Sequence, residues 1–260
     1  MDWLGTSLGE AGIFPASTFV GRTELLEDVR RRLRTGRGFA IATLNLDHVV
    51  KLRSDPDFRS AYSAHTHVTA DGHPVVWLER LAGRDAQRVT GADLVLPLAR
   101  IAAAECCPVA LVGSTPPSLA GAADRLTRWV PGLRIAASVS PPDPFDPDSP
   151  EATEVIEAIR ESGAGLCFLA LGAPRQERFA ARAIAAVPET GFVSIGAGLD
   201  FISGHQMRAP RIVRAMAMEW AWRLASDPFR LSGRYTRCAL ALPPLALSAL
   251  QRREPHRENA

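Results

Sequence analysis

Two stretches constrain this chain most: Pro108-Val-Ala-Leu-Val-Gly113 and Gly165-Leu-Cys-Phe-Leu-Ala-Leu171, each an apolar run with no polar alternation. A strand with one face in water alternates apolar and polar residues. An unbroken run predicts a strand covered on both faces, which is the condition of a parallel sheet between layers of helix. The surrounding pattern agrees. Leu25, Leu26, Val29 and Leu33 recur at helical spacing before Gly36 and Gly38, and the short apolar strand Phe39-Ala-Ile-Ala-Thr43 follows. Helices are then predicted near 46–53, 57–64, 91–105, 116–129, 150–162, 174–187 and 210–225, and strands near 66–70, 108–113, 133–138, 165–171 and 191–196. This alternation predicts an α/β fold, a Rossmann-like open, mostly parallel sheet flanked by helices, with a small C-terminal helical appendage. A catalytic core over 1–205 and an appendage with a membrane-contacting tail over 206–260 are expected, because the strand pattern stops near Gly204.

With 260 residues, the chain is long enough for one such core and a small addition. A net charge of +2 gives no reason to expect nucleic acid as a partner. Arginine supplies all but one of the 30 basic residues, Lys51 being the exception, and its forked guanidinium suits phosphate or carboxylate. The four cysteines show no CxxC spacing and read as buried and reduced. No signal-peptide pattern is visible, so a cytoplasmic location is expected. The run Ala239-Leu-Ala-Leu-Pro-Pro-Leu-Ala-Leu-Ser-Ala-Leu250 is too short to span a bilayer, which needs about 20 residues, but could lie on one. The last ten residues are expected to be mobile.

Open parallel sheets bind ligands where their strands end. The strand ends here are Thr43-Leu-Asn45, Ala70-Asp71-Gly72, Gly113-Ser114-Thr115, Gly172-Ala-Pro174-Arg175-Gln176-Glu177 and Gly196-Ala-Gly198-Leu-Asp200. Asp71 is held at a strand terminus, as a general base must be; a simple Asp-Gly turn is the plain alternative. Thr43 and Asn45 could orient a sugar hydroxyl or merely cap the next helix. Gly113-Ser114 and Gly172-Ala-Pro174 open helices whose free N–H groups attract phosphate, although any α/β protein needs glycine at such turns. The dinucleotide spacing GxGxxG fails at Phe201. Asp55-Pro-Asp57 and Asp146-Pro-Asp148 could hold a divalent ion, but proline between the acids favours helix starts and turns. His65, His67 and His73 lack an evident partner for zinc. No metal site and no cofactor are expected.

In their order, these segments resemble the WecG/TagA/CpsF glycosyltransferases, glycosyltransferase family 26. The resemblance is carried by Thr43-Leu-Asn45, Ala70-Asp71-Gly72, Arg88-Val-Thr-Gly91, Gly172 to Glu177, Gly198-Leu-Asp200, Arg208-Ala-Pro210, Glu219-Trp-Ala-Trp-Arg223-Leu and Asp227-Pro-Phe-Arg230, and runs from about Ala40 to Tyr235. It implies an inverting, metal-independent transfer of a hexose, such as an N-acetylmannosamine-type sugar, from a UDP-sugar to a sugar on a polyprenyl diphosphate, in cell-surface polysaccharide synthesis. It further implies Asp71 as base and Thr43, Asn45, Arg88 and Gln176 around the sugar. Gly113, Ser114, Gly172, Pro174, Arg175, Glu177, Asp200 and Arg208 would bind substrate, with Asp200 near the nucleotide. Arg223, Arg230 and Arg234 would meet diphosphate. The protein would sit peripherally on the cytoplasmic face of the plasma membrane, and a homo-oligomer is compatible with the sequence. Two departures stand out. Arg175 occupies a position where the family usually carries lysine, and Pro141-Pro-Asp-Pro-Phe145 replaces its Gly-aromatic-aromatic stretch. Two rival readings are a different nucleotide-dependent α/β enzyme, which the broken GxGxxG disfavours, and a catalytically inactive nucleotide-sugar binder, which the retained Asp71 disfavours.

Overall fold

The computed structural model describes residues 21–210, 212–213 and 216–251, with the Arg230 side chain outside the described part. The expectations for the N-terminal segment, for the last nine residues and for the Arg230 guanidinium lie outside it.

Six strands form one sheet, all parallel, in the order β2-β1-β6-β5-β3-β4. They are β1 (Phe39–Leu44), β2 (His67–Ala70), β3 (Val109–Gly113), β4 (Ile135–Val139), β5 (Leu166–Ala170) and β6 (Gly191–Ser194). Around them run α1 (Arg22–Thr35), α2 (Leu46–Ser54), α3 (Pro56–Ser63), α4 (His73–Leu81), α5 (Gly91–Ala104), α6 (Pro116–Trp129), α7 (Pro150–Ser162), α8 (Arg175–Ala186) and α9 (Gly198–Ser203). The C-terminal helices are α10 (Glu219–Ser226) and α11 (Pro228–Gln251). The expected fold class is thus found, and the two apolar runs are the neighbouring strands β3 and β5 at the heart of the sheet.

Successive residues of these strands enter opposite cores. Val109, Leu111, Leu166, Phe168 and Val193 pack with α1, α5 and α6, whereas Ala110, Val112, Cys167, Leu169 and Phe192 pack with α7 and α8. A third cluster, around Ala42, Leu44, Val49, Leu52, Phe58 and Tyr62, fills the β1–β2 end. Glycine at two positions is dictated by this packing. A Cβ on Gly113 would meet the Ala170 carbonyl oxygen at 2.4 Å, and one on Gly91 would meet Ser194 O and Ile195 Cα at 2.8 Å.

Two helices depart from expectation. His73-Pro-Val-Val-Trp-Leu-Glu-Arg-Leu81, with its β-branched pair, has no predicted helix, yet Pro74 in its first turn and burial of Val75, Val76 and Leu78 make it α4. At the C-terminus, the stretch predicted as helix over 210–225 has helical residues at 212–213 and then α10, Glu219–Ser226. Pro228 then opens α11, which runs on through Pro243-Pro244. The Ala239–Leu250 run is therefore not a bare apolar strip. Leu245 and Ala249 are buried in the β1–β2 cluster, while Leu240, Leu247 and Leu250 face outward. No helix among the described residues is long and apolar enough to cross a membrane. Of the cysteines, Cys167 and Cys238 are buried as expected, whereas Cys106 is exposed.

Candidate active site

After β1 the chain turns toward β2, and after β6 it turns toward α6 as α9, which packs there. Diverging connections of this kind leave a gap beyond the carboxyl ends of the strands. A crevice of about 930 Å³ occupies it, walled by the segments after β1, β2, β5 and β6 and roofed by α10 and α11. Thr43, Asn45, Asp71, Gly172, Arg175, Gln176, Asp200, Arg223 and Arg234 all line it.

Strand register places Asp71. Leu44 of β1 pairs with Ala70 of β2, and the Asp71 N–H donates to the Leu44 carbonyl at 2.8 Å, so the carboxylate emerges one residue beyond the strand, beside Thr43 and Asn45. On the other side of β2, Ala70 bridges to Arg88 in parallel, which carries that guanidinium to the same edge. Removal from water pushes the Asp71 carboxyl up to about 6, against the pull of Arg223 and Arg88 and with the push of Glu219 and Asp93. A carboxyl that loses its proton just below neutrality is suited to take one from a hydroxyl.

The other predicted residues divide into those facing the crevice and those supporting it. Asn45 lines it, and its Oδ1 caps α2 by accepting from the His48 N–H at 3.1 Å, so the capping role is filled by a residue that also faces the crevice. Asp200 is held by three donors: the hydroxyls of Ser114 and Ser118, the latter at 2.7 Å, and the Gln206 amide at 3.1 Å. Ser114 thus acts behind Asp200 and does not line the crevice, and Gly113 serves the close approach of β3 to β5. Arg88 and Arg208 stand outside the lining and converge on Asp93, at 3.9 and 2.8 Å. Pro174 caps α8 without lining the crevice, and Glu177, directly after Gln176, is fully buried behind the wall. Arg175 reaches Asp143 at 2.9 Å, which ties the proline-rich loop to the crevice rim, and Phe145 of that loop packs edge-on against Phe179.

The acidic pairs and two of the histidines weighed as metal ligands have local partners. Asp55 caps α3 through the Phe58 N–H, Asp146 accepts the Asp148 N–H in a turn, and Asp148 pairs with Arg178. His67 pairs with Asp28 at 2.9 Å, and His65 donates to the Ala61 carbonyl. The described residues contain no group of three or more His, Cys, Asp or Glu side chains able to hold a metal ion.

Sequence reasoning missed the contribution of α2. Asp47, His48 and Lys51 line the crevice. Asp47 pairs with Lys51 at 2.8 Å and with Arg234 of α11 at 3.3 Å, which fastens the C-terminal helix to the core. Lys51 also donates to the Ala173 carbonyl at 3.2 Å. The spacing Asp47 to Lys51 was the available signal, since residues four apart share a helix face and can pair. The roof carries its own pair: Arg223 meets Glu219 at 3.0 Å and lies over the Phe201 ring at 5.7 Å.

The family model for the glycosyl transferases of the WecG/TagA/CpsF family matches residues 17–259. The chain belongs to that family. It is therefore a glycosyltransferase of cell-surface polysaccharide synthesis, a class that in general uses a nucleotide-sugar donor and a lipid-linked acceptor.

Proposed function

We propose that this protein is an inverting hexosyltransferase that moves a sugar, N-acetylmannosamine-type or another hexose, from a UDP-sugar onto a polyprenyl-diphosphate-linked sugar. The observation that carries the reading is the Asp71 carboxyl, poised near 6 at the mouth of a crevice that also holds Thr43, Asn45, Gln176, Arg223 and Arg234. In the reaction, Asp71 takes the proton of the acceptor hydroxyl as that oxygen attacks the anomeric carbon. The bond to UDP breaks on the opposite face, which inverts the configuration. Thr43, Asn45 and Gln176 hold the sugar. Arg223 and Arg234, brought in by α10 and α11, stabilise the diphosphate charge that develops on departure. Asp200, already oriented by Ser114, Ser118 and Gln206, is set to meet the nucleotide.

A position on the inner face of the plasma membrane fits the acceptor. Met207, Phe229, Leu240 and Leu247 are exposed beside a roof rich in arginine, a combination suited to an anionic surface. The division into a 1–205 core and a 206–260 appendage is kept in this proposal as a functional one, with donor sites in the core and diphosphate contacts in the appendage. The test is a screen of UDP-sugars against a short-chain polyprenyl diphosphate-sugar acceptor, with linkage analysis of any product. Transfer with inversion that depends on Asp71 supports the reading; retention of configuration, or full activity in Asp71→Asn, sinks it.

A further inference from the structure

Gln176 and Glu177 are adjacent on the first turn of α8, and the crevice sees only the first of them. The Gln176 carboxamide is almost entirely buried, and its two ends are committed to different partners. Its Oε1 accepts the Gly196 N–H at 3.2 Å, and its Nε2 donates to Glu177 Oε1 at 2.7 Å. The order of these contacts is forced. A backbone N–H can only donate, so the oxygen must face Gly196, in the loop between β6 and α9. That turns the NH₂ end toward position 177, where only an acceptor satisfies it. Glutamate supplies one. Its other oxygen, Oε2, is buried without a hydrogen-bond partner, and the side chain makes no ion pair among the described residues. Burial pushes the Glu177 carboxyl up to about 7. A buried carboxyl with one oxygen left without a partner is costly to keep, so the bond it makes to Gln176 calls for a reason.

We infer that Glu177 is a positioning residue that acts through Gln176: it anchors the NH₂ end of the carboxamide in the orientation that the Gly196 N–H selects and so ties the β6–α9 loop at Gly196 to the head of α8. This rests on the sugar-holding role proposed for Gln176, and it replaces the expectation that Glu177 itself touches substrate. With both ends anchored, Gln176 keeps one Nε2 hydrogen and one Oε1 lone pair to offer, each in a set direction. The brace also joins the loops after β5 and β6, two neighbouring walls of the crevice.

The test compares Glu177→Met, which keeps the length of the side chain but removes the acceptor, with Glu177→Gln, which keeps an acceptor oxygen. The first readout is amide hydrogen exchange at Gly196, which needs no donor and so is independent of the proposed reaction. Glu177→Met is expected to lose about tenfold of its protection, the scale of one hydrogen bond, with the amides of the middle of α8 unchanged, while Glu177→Gln stays within about twofold of the parent. The second readout, once a donor is identified, is the split between KM and kcat. Glu177→Met should raise the donor KM more than it lowers kcat, Glu177→Gln should restore most of the loss, and the effect should vanish when Gln176 is already Ala. Unchanged exchange at Gly196 in folded Glu177→Met overturns the inference, as does a kinetic loss that persists undiminished beside Gln176→Ala. Should Glu177→Met fail to fold, Gln176→Met is read in its place. It must expose the Gly196 amide to the same degree, and protection equal to the parent's overturns the brace.

Discussion

Taking the Asp71 carboxyl, the base proposed above, out of water costs folding stability, and the size of the cost can be worked out. Its raised value, about 6 against 3.8 for an ordinary aspartate, is a difference of roughly 2 units, or about 3 kcal/mol at most when fully expressed. The sign follows from proton binding. Between pH 4 and pH 6 the folded state holds the proton more tightly than the unfolded chain, so stability falls as pH rises through this window. Above it, the penalty is complete. Asp71→Asn removes the charge and with it the penalty, so the variant is expected to be more stable than the parent by about 1–3 kcal/mol at pH 8, the lower end allowing for water in the open crevice. The gain should shrink as pH falls toward 4, because the folded-state carboxyl of the parent regains its proton over that range. Urea denaturation at pH 8, 6 and 4.5, followed by tryptophan fluorescence, measures it. The same substitution should cut turnover by about 10²-fold, and the parent's kcat/KM should rise through an apparent value near 6 and level off above it. A variant that is less stable than the parent at pH 8, or a difference that does not vary with pH, would refute the claim that burial of this charge is what tunes it.

Three further outcomes are expected. Transfer should survive EDTA, because Arg223, Arg234 and the helix-start N–H groups are proposed to carry the leaving diphosphate; loss of activity that Mn²⁺ or Mg²⁺ restores contradicts this. Arg234→Ala should weaken UDP binding in titration calorimetry by about tenfold, the scale of a charge-assisted contact; unchanged affinity removes Arg234 from the site. Leu245→Ala should cost about 2–3 kcal/mol in denaturation, because that side chain is buried against the β1–β2 cluster, whereas a neutral result would mean that α11 is not docked as described.

How much of this was legible in the sequence depended on whether the signal was local. The runs 108–113 and 165–171 announced β3 and β5 because burial on both faces leaves no polar alternation. His73–Leu81 was missed because Val75 and Val76 favour strand locally, and only their burial against the core makes the segment helical. Pro243-Pro244 are unfavourable inside a helix, yet α11 runs through them, supported by docking of Leu245 and Ala249 on the core. Strand ends pointed to Asp71, Thr43 and Gln176, since in an open parallel sheet position along the chain nearly determines position in space.

The same logic explains why the directions taken by the side chains of Ser114, Glu177 and Lys51 are not set by their places in the sequence alone. Ser114 sits at a strand end like Thr43, yet its hydroxyl turns to Asp200, a residue 86 positions away. Glu177 and Gln176 are neighbours in sequence but fall on different sides of the crevice wall, because successive residues of a helix differ by about 100° in direction. Lys51 belongs to the site only because the loop after β5 brings the Ala173 carbonyl, 122 positions away, within 3.2 Å of it. A motif therefore identifies the turn that delivers chemistry to the crevice, while the packing between turns decides which of its side chains meets the ligand and which holds another in place.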